Sequence, residues 1–379
     1  MSVFEPGFRV GVLGGGQLGL MLLQAAIDWN LHVKILDVAD APCAAIAPEF
    51  VVGSLQNYAD VYQFGQDLDV ITIEIEKVNV EALEALEREG KKVFPQPHVL
   101  RIIQDKRIQK QFYRDHHLPT ADFILTDNRV DAQRHADFLP AFHKLGRDGY
   151  DGKGVQRITS KIDFDKAFDA PSLLEKAIDF EKEIAVIVAR NERGEVATFP
   201  SVEMVFHPEA NLVEYLFSPA EITQDIDNQA KNLAIRTAEA LGIVGTLAVE
   251  MFLTKDGQLL INEVAPRPHN SGHHTIRANA TSQFEQHWRA ILNLPLGDTT
   301  THTPAAMLNL LGEEGHTGPA RYQGMEKLLG VSGVFPFLYG KKNTKPFRKM
   351  GHITLIDSTL QGLKIKADWV KKQIQVVSK

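Results

Sequence analysis

Cysteine is almost missing from this chain: Cys43 stands alone among 379 residues. That excludes an intrachain disulfide and the cysteine-rich zinc sites, and it points to a reducing compartment. The lone thiol, beside Pro42 and small alanines, reads as packed rather than catalytic. Long hydrophobic runs are also lacking. No apolar stretch approaches the ~18 residues that cross a bilayer. Met1 to Arg9 shows no basic region followed by an apolar run, so no secretory signal is expected. Positive charge is in deficit, with 41 Lys and Arg against 48 Asp and Glu and a net charge of −7. A broad nucleic-acid surface needs a basic stripe and is excluded. The string G-x-x-x-x-G-K-[ST] is absent, which removes the P-loop nucleotidases. What remains is a cytoplasmic protein, 44% hydrophobic and 23% charged, whose length calls for two or three domains.

The first part of the chain alternates strands with helices. Arg9 to Leu13 and His32 to Asp37 read as buried strands, with a helix over Leu18 to Trp29 between them. Val51-Val52, Asp69 to Ile75 and Lys92 to Pro95 read as further strands, with a helix over Glu81 to Glu89. This alternation implies a parallel, Rossmann-like sheet. The first domain is expected over residues 1–97, ending at Pro95-Gln96-Pro97. A polar helix over Asp105 to His116 runs to a break at Leu118-Pro119-Thr120 and opens a central α+β region over 98–295. Residues 296–379 show short strands punctuated by Gly and Pro and are expected to form a small β-rich domain. The fold class is α/β combined with α+β.

Two glycine-rich segments carry the first chemical signals. Gly14-Gly15-Gly16-Gln17-Leu18-Gly19 holds G-x-G-x-x-G between a strand and a helix, with Asp37 near the end of the next strand. Such a loop lets the backbone approach a phosphate at a helix N-terminus. Three readings stay open for it: a dinucleotide site with Asp37 on a ribose, a site for another phosphorylated ligand, or a tight turn without one. Gly146-Arg147-Asp148-Gly149-Tyr150-Asp151-Gly152-Lys153-Gly154 has four glycines in nine residues and cannot be a stable helix or strand. With Lys144 just before it and Lys153 inside it, this segment reads as a lid over a polyphosphate.

The third signal is a hairpin. Leu247 to Leu253 and Gln258 to Val264 read as strands, and Asp256-Gly257 as a two-residue turn. That register places Glu250 opposite Glu263. Facing carboxylates in apolar strands repel and are costly to bury. A divalent cation would remove the cost, and Asn262 supplies a neutral oxygen, which suits Mg²⁺. The alternative is that one glutamate is exposed and ion-paired. The following loop carries Arg267, His269, Asn270, Ser271, His273 and His274, a poor core and a good polar site. Arg267 offers a fork for an anion. With no H-E-x-x-H string and no cysteine partner, magnesium fits better than zinc.

In this combination the chain resembles the ATP-grasp superfamily and, more closely, the N5-carboxyaminoimidazole ribonucleotide synthetases. The resemblance rests on Gly14 to Gly19, Thr72-Ile73-Glu74-Ile75-Glu76, Gln109-Lys110-Gln111 with Leu118-Pro119-Thr120, Gly149 to Gly154, Asn262 to His273, and Arg348-Lys349-Met350-Gly351-His352. It spans the whole chain. It implies an ATP-grasp fold: an N-terminal Rossmann-like domain, a central ATP-grasp domain with a lid subdomain over 120–180, and a small C-terminal domain. It implies a ligase that uses ATP and bicarbonate to carboxylate 5-aminoimidazole ribonucleotide, with Mg²⁺ or Mn²⁺, as a homodimer without nucleic-acid or membrane partners.

Residue by residue, the resemblance puts Lys106 and Lys144 on ATP phosphates or adenine, under a lid of Gly149, Tyr150, Asp151, Gly152, Lys153 and Gly154. Glu175, Lys176, Ala177 and Ile178 would follow the adenine edge and Glu183 the ribose. Asn262 and Glu263 would border the nucleotide and, with Glu250, hold the metal. Gly16, Gln17, Leu18, Glu74, Tyr150, Asp151, Arg267, His269, Asn270 and Ser271 would surround the aminoimidazole ribonucleotide, with Arg348 and Lys349 on its phosphate. Arg267 and His273 would sit near the carboxylating species, and Asp151 or His273 would take the amine proton. The family often has Arg where Lys106 stands, and its ATP-contacting histidine falls one place later here, at His207. Another ATP-grasp carboxylate–amine ligase acting on a phosphoribosyl substrate shares the lid and the hairpin. An NAD-dependent oxidoreductase would explain Gly14 to Gly19 and Asp37 but not the second glycine segment or the glutamate pair. A non-catalytic nucleotide-binding module leaves the acids and bases without a use.

Overall fold

The computed structural model describes residues 3–147, 149, 154–206 and 213–379. Its first sheet has five parallel strands in the order Glu49–Val52, His32–Asp37, Arg9–Leu13, Val70–Ile73, Lys92–Val93. Val10, Val12, Val33, Ile35, Ile71 and Ile73 are all buried, as a sheet covered on both faces requires. Two of the strands match the sequence reading residue for residue; Val70–Ile73 and Lys92–Val93 are shorter than expected, and Glu49–Val52 starts two residues earlier. Strand order reverses at Arg9–Leu13, so the first glycine loop emerges at the switch point of the sheet.

A four-stranded antiparallel sheet follows, in the order Phe123–Thr126, Ser172–Lys176, Ala141–Leu145, Val155–Ile158. It has its own small core around Ala141, Ile158, Phe164 and Leu174. It lies within the region where the sequence places a lid subdomain.

The largest sheet runs Leu259–Ala265, Gly245–Thr254, Phe180–Arg190, Val202–Phe206, Val213–Ser218, Ala305–Leu311, Lys349–Ile356, Val334–Leu338, with Val196–Thr198 paired to Phe180–Arg190. Helix Gln224–Leu241 packs on it, burying Ala230, Leu233, Ala234 and Leu241 against Ile184, Val186 and Val249. Thr223 caps its start by accepting from the Ile226 N–H, and Gly242 ends it at φ 63°. The expected boundary at 295/296 falls in a loop, but the sheet crosses it: Val213–Ser218 pairs edge to edge with Ala305–Leu311. The terminal region, expected to be β-rich, also holds helix Leu360–Gln373, which the sequence reading does not name; its signal is the apolar spacing of Leu363, Ala367 and Val370.

Helix Gln283–Ile291 joins the two large sheets. Trp288 is fully buried and its Nε1 donates to the Leu22 carbonyl at 2.9 Å. Its neighbour His287 lies between Thr72 of the first sheet (2.8 Å) and Thr246 of the largest (3.0 Å). Among the described residues no helix is long and apolar enough to cross a membrane.

Candidate active site

The hairpin sets the geometry. Its turn has three residues rather than two: Lys255, Asp256 and Gly257 are closed by Thr254 N donating to Gln258 O at 2.9 Å, with Gly257 at φ 82°. The side chain of Thr254, accepting from the Gln258 N–H at 2.9 Å, favours this longer turn. Near the turn, Leu253 pairs with Leu259 and Met251 with Ile261; then the ladder bulges at Asn262, and Glu250 pairs with Glu263 after all. The expected pairing thus forms for a different reason, one extra residue in the turn being cancelled by one in the strand. A bulge re-aims side chains, and here Asn262 and Glu263, adjacent in sequence, both reach the same cluster of charged groups.

Three carboxylates meet there. Glu250 is buried, and burial, reinforced by the charges of Glu263 and Glu183, pushes its carboxyl well up. Burial also raises Glu183, to about 7, although Asn262 Nδ2 donates to it at 3.3 Å. Glu263 differs: its side chain is 49% exposed, and Lys106 Nζ, 3.0 Å away, holds it below the usual carboxylate range. The exposed, ion-paired alternative therefore describes Glu263 but not Glu250. Among the described residues no three His, Cys, Asp or Glu groups converge to hold a metal unaided. Two glutamates and an amide oxygen leave positions for phosphate and water, which is the donor chemistry of a hard divalent cation.

A second set of cations faces this cluster. Lys144 Nζ lies 2.6 Å from one Glu175 oxygen and Lys110 Nζ 2.6 Å from the other. Burial alone would raise Glu175; the two lysines outweigh it and hold the carboxyl at about 2. The Glu175 side chain is therefore committed to lysines rather than to an adenine edge. Lys176 Nζ turns back to the Phe138 and Leu139 carbonyls, and the Ala177 N–H donates to Pro140. Lys110, quoted from the sequence only as part of Gln109-Lys110-Gln111 and given no role there, joins this cluster; its signal is a lysine one helical turn beyond Lys106.

The first glycine loop is occupied by the protein itself. The Gly16 and Gly19 N–H groups donate to the Glu74 carboxylate at 2.7 and 2.6 Å, and the Gly15 N–H to Asp37 at 2.7 Å. A Cβ on Gly16 would lie 2.4 Å from Glu74. The donors a dinucleotide phosphate needs are taken, and Asp37 is turned onto the loop, so the dinucleotide reading loses its physical basis. Leu18 is buried behind the loop, and Gln17 accepts from Lys341 Nζ at 2.9 Å. Lys341, absent from the sequence reading, donates to the Lys349 carbonyl at 2.7 Å and sits 5.4 Å from the Tyr339 ring centroid. Arg348 donates to the Asn343 carbonyl at 2.6 Å.

The polar loop after the hairpin completes the cluster of charged groups. Arg267 Nε lies 2.9 Å from Glu76. His269 Nε2 is 3.4 Å from Glu250, and its Nδ1 meets Ser271 Oγ at 2.9 Å; Asn270 lies between them in sequence, half-buried. Lys349 is close enough for its charge to lower Glu250, as His269 does for Glu263. His273, by contrast, is completely buried, against the rings of Phe284 and His352, and burial keeps it neutral. Of the second glycine segment, the ends are anchored: Lys106 N donates to Gly146 O at 2.7 Å and Leu145 N to Gly154 O at 2.9 Å, with Gly149 half-buried. Tyr150, Asp151, Gly152, Lys153 and His207 lie outside the described residues.

Comparison with known proteins gives this arrangement a context. Residues 8–104 match the ribonucleotide synthetase preATP-grasp domain, 111–284 the ATP-grasp domain, and 305–366 the phosphoribosylaminoimidazole carboxylase C-terminal domain. The chain is 36% identical to N5-carboxyaminoimidazole ribonucleotide synthase of Bacillus subtilis, over 94% of this chain and 93% of that one. It is 38% identical to a chloroplastic phosphoribosylaminoimidazole carboxylase of Vigna aconitifolia over 93% of its own length, but spans only 65% of that longer protein. The crystal structure of N5-carboxyaminoimidazole ribonucleotide synthetase from Thermotoga maritima superposes with a TM-score of 0.91 at 40% identity, covering 98% of this chain and 100% of the other. Fold, charged cleft and likeness over nearly the full length agree, and the chain belongs to the N5-carboxyaminoimidazole ribonucleotide synthases, ligases of the ATP-grasp fold.

Proposed function

We propose that this ligase converts ATP, bicarbonate and 5-aminoimidazole ribonucleotide to ADP, phosphate and N5-carboxyaminoimidazole ribonucleotide, a step of purine biosynthesis. The observation that carries the reading is the cluster in which Glu250, Asn262 and Glu263 meet Lys106 and Lys144 from one direction and His269 and Lys349 from another. Such a cluster has a place for a polyphosphate and a place for a second anionic substrate.

Bicarbonate is a poor electrophile. Its oxygen attacks the γ-phosphorus, the bond to the bridging oxygen breaks, and ADP leaves carboxyphosphate behind. In this reading Lys106 and Lys144 neutralise the charge that builds on the transferring group. A Mg²⁺ or Mn²⁺ ion held by Glu250 and Glu263, with Asn262 beside them, would screen the phosphates further. The exocyclic amine then attacks the carboxyl carbon, phosphate departs, and the nitrogen gives up a proton. His269 is the imidazole at the cleft, so in our reading it replaces the sealed His273 as the candidate to receive that proton; Asp151 is the other candidate. Arg267, held by Glu76, is aimed at the carboxylating species. Arg348, Lys349 and Lys341 bind the ribonucleotide phosphate, and Gln17 borders the same substrate. Glu74 shapes the loop beneath it rather than touching it. Glu183 meets the ribose, and the strap from Glu175 to Ile178 meets adenine through its backbone. The lid over Gly149–Gly154 excludes water, which would hydrolyse the intermediate. A homodimer in the cytoplasm belongs to the same reading, supported by the family resemblance.

The test is ADP release with bicarbonate and Mg²⁺, with and without aminoimidazole ribonucleotide, beside Glu263→Gln. Ribonucleotide-stimulated release that the variant loses supports acceptor and metal site together. Slow turnover without stimulation keeps the ATP site and overturns the acceptor.

A further inference from the structure

Glu175 lies between two cations, and only one of them has a use in the reaction. Its carboxylate is 3% exposed, with Lys144 2.6 Å from Oε1 and Lys110 2.6 Å from Oε2. Lys110 is 3% exposed as well and donates to Thr120 Oγ1, which in turn donates to the Ile261 carbonyl at 2.7 Å. From the other side Lys144 reaches Asn262 Oδ1 at 3.5 Å. The contacts close a ring from Ile261 through Thr120, Lys110, Glu175 and Lys144 back to Asn262. It joins helix Lys106–Asp115, the four-stranded sheet and the bulged hairpin strand. A lysine buried this deeply is costly unless its charge is compensated.

Charge counting shows what Lys110 does. Lys144 and Glu175 alone would form a neutral pair, with the ammonium committed to its carboxylate. With Lys110 on the second oxygen, the triad keeps one net positive charge. Lys144, 15% exposed, is the member that presents it to the cleft. We propose that Lys110 is a positioning residue for nucleotide binding: it occupies half of the Glu175 carboxylate, so that Lys144 stays fixed yet net positive toward the nucleotide phosphates. Lys110 itself does not touch the nucleotide. The inference rests on the reading that Lys144 contacts ATP.

The test uses the full chain, calorimetric ADP affinity and steady-state kinetics in ATP. Lys144→Met is the reference and should weaken ADP binding. Lys110→Met should weaken it about tenfold, the scale of one nearby unit charge at intermediate dielectric. KM for ATP should rise with it while kcat stays within about threefold. Lys110→Arg keeps the charge and should retain most of the affinity. The decisive variant is Lys110→Met with Glu175→Gln: Lys144 then carries the original net charge alone, and affinity should return to within about threefold of the parent. A merely structural role predicts the reverse, a double variant as weak as Lys110→Met or weaker, and that result overturns the proposal. So does unchanged affinity in Lys110→Met beside a weakened Lys144→Met. Unchanged affinity in Lys144→Met removes the ATP reading of Lys144 and the inference with it, a pattern distinct from the other two. Should Lys110→Met not fold, the double variant decides alone, since it leaves no buried carboxylate short of a partner.

Discussion

Glu250 stands directly opposite Glu263 across the hairpin although the register near the turn would pair it with Asn262. The bulge therefore makes the acidic pair, and the proposed metal role makes that pair the place to look for an effect of cations. Glu250→Gln should cut kcat/KM on the order of 10²–10³-fold, the usual scale for losing one electrostatic stabiliser of a charged transition state. In EDTA the same variant should melt higher than the parent, because a neutral amide ends the repulsion with Glu263 and Glu183. Thermal melts with and without Mg-ADP check this; a parent that gains no more from Mg-ADP than the variant does would refute the metal role.

Glu183 gives a pH signature. Burial raises its carboxyl from 4.5 to about 7, so the folded chain binds this proton more tightly than the unfolded chain. Its contribution is full below pH 4.5 and is lost as pH rises through about 7. The loss is up to about 3 kcal/mol for the ligand-free protein. His287, pushed down to about 3 by burial, acts in the opposite sense: its contribution is present above pH 6.5 and is lost as pH falls toward 3. The measurement is therefore a difference: urea unfolding of the parent against Glu183→Gln, with the parent's relative stability declining between pH 5 and pH 8.

The two histidines of the polar loop should separate cleanly. His269 sits beside Glu250 and Ser271, partly open to the cleft, whereas His273 is sealed between aromatic rings. His269→Asn should lower kcat about 10²-fold, a general acid–base scale, with little change in melting temperature. His273→Asn should lose about 1–3 kcal/mol of stability through lost packing and an imperfectly paired polar group. The reverse assignment of kinetic and thermal effects would return His273 to the reaction.

Lys341 should matter for the ribonucleotide alone. Lys341→Met breaks the link between Gln17 and the Lys349 carbonyl and removes a cation from the phosphate end. We expect KM for aminoimidazole ribonucleotide to rise about tenfold, KM for ATP to stay put, and the penalty to shrink at high salt. Equal rises in both KM values would argue for a general disturbance of the cleft.

Much of this was legible in the sequence because local signals agreed with the fold. Arg9–Leu13 and the helix opened by Asp105 follow from periodicity and capping, whereas the Glu250–Glu263 pairing is reached through a turn that the structure does not have. The turn length was not legible, since Asp-Gly favours two residues and nothing local announces the bulge at Asn262. The fate of the first glycine loop was hidden for a related reason. Its glycines report a backbone that lets something anionic approach, and sequence does not say that the anion is Glu74, 58 positions away from Gly16. Lys110 is quoted without a role, and Lys341 not at all, because their contacts come from partners on distant segments, Glu175 and Gln17.

The continuous large sheet carries a mechanical consequence. The hairpin that holds Glu250 and the strand that begins at Lys349 are five strand spacings apart along one hydrogen-bonded ladder. A flat ladder would set them about 24 Å apart, and every step between them is a backbone-paired strand. On the function proposed above, phosphoryl donor and ribonucleotide acceptor would share a single frame whose span is set by backbone pairing. The four-stranded sheet is a separate ladder, reaching that frame where Lys144 Nζ lies 3.5 Å from Asn262 Oδ1, and breathing of the enzyme is expected there. In such a machine substrate alignment is inherited from folding, and only admission and escape are left to motion.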